Sequence, residues 1–131
     1  MAKNCVLRLL AKLKNGQSAK KSIIFEKKTK MNEKFLKLLW DRGYILGYIE
    51  FEKNRVKNFK IYLKYDRSGI PAINKIKAVS KPGARVYCNL QQMWKLQDEF
   101  SLILFLTSKG LKASFECKRL SIGGELLAVV F

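Results

Sequence analysis

Residues 44–65 read YILGYIEFEKNRVKNFKIYLKY, and the reading of this stretch decides the fold of the first half of the chain. From Tyr44 to Phe51 the residues alternate with a period of two, putting Ile45, Gly47, Ile49 and Phe51 on one side. After a charged turn, Phe59, Ile61, Leu63 and Tyr65 repeat the alternation with Lys60, Tyr62 and Lys64 opposite, so the two runs predict an antiparallel pair. Upstream, Ser22 to Phe25 reads as a short strand, and Asn32 caps a helix from Glu33 to Arg42 that Gly43 ends. Earlier still, Val6, Leu7, Leu9, Leu10 and Leu13 recur at helical spacing after Asn4 and stop at Asn15-Gly16, a suitable left-handed terminus. An order of helix, strand, helix, strand, strand predicts an α+β sandwich with both helices on one sheet face and Trp40 in its core.

Downstream, Asp66 to Pro71 carries Gly69 and Pro71, the punctuation of a loop, and divides the chain into modules 1–68 and 69–131. In the second module Ile73 to Ser80 reads as a strand, the basic run Lys81 to Arg85 as a turn, and Val86-Tyr87 as its return. Residues 90–97 suit a short helical turn, Phe100 to Leu106 a buried strand, and Glu125 to Phe131 an apolar terminal strand. The fold class is therefore α+β: two small modules, the first a helix-strand-helix-strand-strand sandwich and the second mostly β.

The 131 residues carry 27 Lys and Arg against 10 Asp and Glu, a formal net charge of +17, far beyond what solubility requires. A polyanionic partner is implied, and RNA, DNA or an acidic membrane would each reward such a charge. The excess is greatest in residues 1–37, with 11 basic and 2 acidic side chains. On the first helix Arg8 and Lys12 stand four apart, although a solvated charged face is the ordinary explanation of such a stripe. That helix has no Trp or Phe on its apolar face, which argues against membrane docking, and Phe100 to Leu106 is too short to span a bilayer. The basic N-terminus is rich in Lys rather than Arg and passes straight into a patterned helix, so it reads as mature protein rather than a transit peptide.

Catalysis is poorly provided for. The chain has no histidine, and no carboxylates have the spacing of an acid/base pair. Cys5, Cys88 and Cys117 are odd in number and without close pairing, which indicates neither a disulfide framework nor a zinc site and suits a reducing compartment. No metal, cofactor or small-molecule substrate is implied. Thr107-Ser108-Lys109-Gly110 follows the buried strand directly, offering two hydroxyls, a cation and a permissive backbone. Such groups can bond base edges and ribose and neutralise a phosphate, although the same residues commonly form a plain turn. Gly123-Gly124-Glu125 is a second tight turn, whose carboxylate could accept from base amino groups or serve as a salt-bridge partner.

Four segments in order then carry a resemblance: Leu13-Lys14-Asn15-Gly16-Gln17, Val79 through Tyr87, Thr107-Ser108-Lys109-Gly110, and Gly123-Gly124-Glu125. Together, over nearly the whole chain, they resemble the landmarks of the bacterial-type small-subunit ribosomal protein S8 family. The resemblance implies a two-domain protein that binds small-subunit rRNA directly, supports assembly of the central domain, or platform, and stays in the particle beside neighbouring small-subunit proteins. It assigns specific RNA contacts to Thr107 and Ser108, with Lys109 and Gly110 beside them and Gly123, Gly124 and Glu125 flanking the surface. Lys81, Arg85 and Tyr87 would support that surface, Arg85 on phosphate and Tyr87 stacking or hydrogen-bonding, and Lys12, Lys14 and Asn15 would add contacts from the first domain.

The chain also departs from the family pattern. Leu106-Thr107-Ser108 stands where the family has Ser-Thr-Ser, Ala113-Ser114 where it has Thr-Asp, and Ser121 where a glycine is expected. This drift suggests an organellar, mitochondrial ribosome, with a bacterial cytoplasm or a plastid as the competing locations. A free RNA-binding translational regulator is the alternative function.

Overall fold

The protein is described by a computed structural model covering residues 2–79, 85–89, 91–92 and 102–130, with residues 2–5 described by their backbone alone. The chain divides into two compact units, residues 1–74 and 75–131. The described parts are α+β, with two antiparallel sheets and a mostly β second unit.

In the first unit the elements run α1 (Ala2–Ser18), β1 (Ile23–Lys27), α2 (Lys30–Asp41), β2 (Ile45–Lys53) and β3 (Val56–Leu63), with sheet order β1-β3-β2. Val6, Leu9, Leu10 and Leu13 of α1 and Phe35, Leu36, Leu38 and Leu39 of α2 are buried, as the apolar spacing demands. They join Ile24, Ile45, Phe59, Ile61 and Leu63 in the core.

The expected termini shift for identifiable reasons. Helix α1 does not stop at Asn15-Gly16 but runs to Ser18, and Lys20, at φ 55°, makes the left-handed turn. Lys21 N–H donates to Gly16 O and Lys20 N–H to Gln17 O, the paired bonds of a Schellman motif. Gly16 serves close packing instead: a Cβ there would lie 2.9 Å from Ile24 Cγ2 and 3.3 Å from Leu63 Cδ1. Helix α2 starts earlier than expected, at Lys30, because Thr29 is its cap, with Oγ1 accepting from Asn32 N–H at 3.1 Å. Asn32 lies inside the helix, buried, its Nδ2 donating to Lys27 O. Gly43, at φ 76°, ends α2 as expected, with Tyr44 N–H donating to Leu39 O.

The decisive hairpin forms, with one correction. Ile45 pairs with Leu63, but Gly47 pairs with Tyr62, so Leu46 is an extra residue in β2. This bulge inverts the rest of the strand. Tyr48 and Glu50 join the helix-facing side with Ile61 and Phe59, while Ile49 and Phe51 turn to the opposite side with Lys60 and Asn58. Ile45, Gly47, Ile49 and Phe51 thus do not share a face. Trp40 is not a core residue either: it is 53% exposed, lies off the buried stripe of α2, and meets the edge of Tyr48 at 5.9 Å between ring centroids.

In the second unit the strands are β4 (Ile76–Ala78), β5 (Tyr87–Cys88), β6 (Leu102–Thr107), β7 (Gly110–Ala113) and β8 (Gly124–Val130), with α3 (Ser114–Leu120) between the last two. The order is β4-β8-β6-β7, with β5 also on β8. The expected pairing of Ile73–Ser80 with Val86-Tyr87 as a hairpin gives way to another arrangement. β4 pairs with the far part of β8 (Ile76 opposite Val130) and β5 with its start (Cys88 opposite Gly124), so both lie antiparallel to β8. Val79 N–H donates to Leu127 O and Leu126 N–H to Val86 O, joining the two segments to one ladder. The turn at 81–84, Ser80, most of the helical turn expected over 90–97, Phe100 and Phe131 lie outside the described residues. Sequence patterning did not anticipate β7, whereas the family resemblance placed a helical segment from Ala113-Ser114, where α3 begins. Ile103, Phe105 and Cys117 form a buried cluster, with Cys88, Ile122, Leu126 and Val129 packed against it.

Candidate nucleic-acid interface

The hairpin between β6 and β7 has a two-residue tip, Ser108-Lys109, closed by the pair Thr107 and Gly110. Gly110 holds φ at 100°, outside the range of ordinary side-chain-bearing residues. Thr107 Oγ1 donates to Gly110 O at 2.8 Å and accepts from Lys109 N–H at 3.1 Å. Its only proton and one lone pair are thereby spent inside the turn, leaving a single acceptor position for a ligand. Ser108 and Lys109 are exposed at the tip.

Strand β8 brings the second glycine turn beside this hairpin. Glu125 lies opposite Leu106 on one side and Tyr87 on the other. Gly123 and Gly124 make that closeness possible. A Cβ on Gly124 would sit 2.8 Å from both Leu106 O and Thr107 Cγ2, and one on Gly123 would sit 2.7 Å from Cys88 O. The glycines therefore let three strand ends meet, and their contribution is shape rather than chemistry. Glu125 is 5% exposed, within the row between Tyr87 and Leu106. Tyr87 is 64% exposed, and Arg85 is exposed two residues before it. Lys81 lies outside the described residues.

Sequence reasoning did not single out Asn89 and Gln92. Asn89 N–H donates to Gln92 Oε1 and Gln92 N–H to Asn89 Oδ1, a reciprocal capping box beside Gly123. The Asn-x-x-Gln spacing at 89–92 was the available signal.

At this end of the sheet the exposed groups are a hydroxyl, a lysine, an arginine and a phenol on a tightly packed frame, a set suited to ribose, phosphate and base edges. Burial, followed by the neighbouring Glu116, pushes the Cys117 thiol up to about 11. Among the described residues no group of three or more Cys, Asp or Glu side chains could hold a metal. No described helix is long and apolar enough to cross a membrane.

The remaining expected contacts, Lys12, Lys14 and Asn15, lie on α1 of the first unit. Lys12 Nζ donates to Phe25 O at 2.9 Å and stands 3.5 Å from the buried Glu26 carboxylate, which also accepts from Arg8 at 3.2 Å. Its charge is partly committed within the unit, whereas Lys14 and Asn15 are exposed. Lys12 and Asn15 line a cleft of about 540 Å³ between α1 and the free edge of β1, with Lys21 and Phe25 on the other wall.

Residues 4–131 match the family model described as ribosomal protein S8. The chain is 34% identical over 123 residues to the small ribosomal subunit protein uS8 of Borrelia garinii subsp. bavariensis, covering 94% of this chain and 93% of that one. It is 33% identical over 127 residues to the protein of the same name in Ehrlichia ruminantium, covering 96% of each chain. To that of Salinibacter ruber it is 29% identical over 126 residues, covering 96% of this chain and 95% of the other.

Proposed function

The chain belongs to the ribosomal protein S8 family, structural proteins of the small ribosomal subunit rather than enzymes, and from that premise we propose that it binds small-subunit rRNA directly and supports assembly of the central domain, or platform. The observation that supports this reading is the convergence, at one end of the second unit's sheet, of the exposed Ser108-Lys109 tip with Arg85 and Tyr87. Gly123 and Gly124 permit that convergence. In this reading Ser108 bonds ribose or base edges, Lys109 and Arg85 neutralise phosphates, and Tyr87 stacks or hydrogen-bonds. Thr107 contributes its one open acceptor and holds the turn. Gly110 keeps the tip's shape, and the buried Glu125 accepts from base amino groups only where a base reaches the row beside Tyr87. Lys12, Lys14 and Asn15 add sequence-independent contacts from α1, and Lys81 extends the basic support of the surface.

Binding of the full chain to a folded central-domain fragment of small-subunit rRNA tests this. Replacing Thr107 and Ser108 by Ala is expected to cost about 1–3 kcal/mol of binding. Thr107→Ser, which preserves the turn's hydroxyl, should recover the part that comes from the hairpin. Unchanged affinity in the double variant would sink the assignment.

We also propose that the protein stays in the particle, among neighbouring small-subunit proteins, and that the particle is the mitochondrial ribosome suggested by the drift at Leu106, Ala113 and Ser121. The relatives named above are bacterial. Gradient sedimentation of fractionated lysates at moderate and high salt decides both points. Co-migration with mitochondrial small subunits is expected; particles from a bacterial cytoplasm or plastid would overturn the location, and light fractions alone would favour a free regulator.

A further inference from the structure

The bulge at Leu46 leaves an unusual surface on the first unit. On the side of the three-stranded sheet away from the helices, Phe25 and Ile49 are 53% and 50% exposed. Phe25 and Phe51, from the two outer strands, reach across β3 to meet edge to face, with ring centroids 5.7 Å apart. The pairings Lys27 with Asn58, Phe25 with Lys60, and Lys53 with Val56 put Lys27, Lys53 and Lys60 on this same side. The three strand carboxylates all fall on the opposite face: Glu26 and Glu50 lie opposite Phe59, and Glu52 opposite Lys57. One face is therefore aromatic and exclusively cationic, the other carries every strand acid, and Glu50 is held there by Lys28 at 2.9 Å.

We propose that this outer sheet face is a second RNA-contacting surface, on which bases of a single-stranded RNA segment stack against Phe25 and Phe51 while Lys27, Lys53 and Lys60 meet its phosphates. The proposal extends the reading above to the other unit and shares with it the choice of RNA as the polyanion. Exposed rings on a sheet offer π-faces to any unpaired base, whereas the bases of a duplex are already stacked on one another. Lysines on the same face as the rings can meet the phosphates of a strand whose bases stack there. Lys60 Nζ, 5.4 Å from the Tyr62 ring centroid, shows how cation and ring already sit together on this face. A protein partner would find no carboxylate here for its own cations.

The test uses the full chain and two probes: a labelled, unstructured 12-nucleotide oligouridylate and the folded central-domain rRNA fragment. Phe25→Leu with Phe51→Leu keeps apolar bulk but removes the rings. Oligouridylate affinity is expected to fall by about tenfold or more, with its salt dependence unchanged. Lys27→Ala with Lys60→Ala should instead flatten the slope of log affinity against log salt by roughly 1.4. Thr107→Ala with Ser108→Ala should weaken binding of the folded fragment. Oligouridylate binding indifferent to the leucine pair would overturn the proposal, as would loss of a ribosomal protein contact as that pair's only defect. Failure of the folded fragment alone to bind would count against the function proposed above and not against this surface.

Discussion

Ser121 occupies φ 56° at the end of α3, where Ile122 N–H donates to Cys117 O across it. A left-handed residue with a Cβ is disfavoured there, where a helix end favours glycine. Ser121→Gly is therefore expected to stabilise the protein by about 1 kcal/mol, read as a higher denaturant midpoint at constant slope. A lower midpoint would mean that the hydroxyl has a structural partner. Gly16 teaches the opposite lesson. Asn15-Gly16 looks like a helix terminus in one dimension, yet Gly16 is helical and its missing side chain is what admits Ile24 and Leu63. A glycine chosen for φ and one chosen for close approach are the same letter in a sequence, and only the neighbours tell them apart. Thr107 is similar: its place at the turn after the buried strand was legible, but the internal bonds that occupy its hydroxyl were not.

Among the elements, the β2–β3 hairpin turns through Asn54 and Arg55, with φ of 52° and 64° between the paired Lys53 and Val56. Two positive φ values define the tight turn that matches strand twist, and it favours Asn followed by Gly. Arg55→Gly is expected to stabilise the unit by about 0.5–1 kcal/mol, measurable by chemical denaturation. Loss of stability would indicate that Arg55 makes a contact outweighing its backbone strain. The existence and type of the first unit's elements were legible because amphipathic periods survive in any context. The bulge at Leu46 was not, since one inserted residue leaves the alternation intact on either side while exchanging the faces. Trp40 was misplaced for a related reason: burial follows the stripe that α2 turns to the sheet, and hydrophobicity alone does not locate that stripe. β4 and β5 likewise offer a turn between two strand-like runs, but the ladder bonds of both are taken by β8.

For the whole molecule, the net charge of +17 makes the proposed rRNA binding a strong function of salt. Lys14 is exposed, whereas Lys12 is shared with Glu26 and Phe25 O. Lys14→Ala is accordingly expected to weaken binding of all RNA sequences alike and to flatten the salt slope by roughly 0.7–0.9, more than Lys12→Ala does. Filter binding across a salt series checks this, and a changed sequence preference would contradict the phosphate role. What the sequence by itself determined is the α+β class, the helix and strand inventory of the first unit, the large positive charge, the absence of histidine and the ordered landmarks of the S8 family. These depend on composition and short-range spacing, which are local properties. Only the tertiary structure decided that Arg85, Tyr87, Ser108 and Lys109 share one end of a sheet, that Glu125 is buried among them, and that Phe25 and Phe51 meet on an acid-free face. Those outcomes depend on strand register and on which residues close the backbone ladders, and both are settled by long-range pairing rather than by any residue's neighbours in the chain.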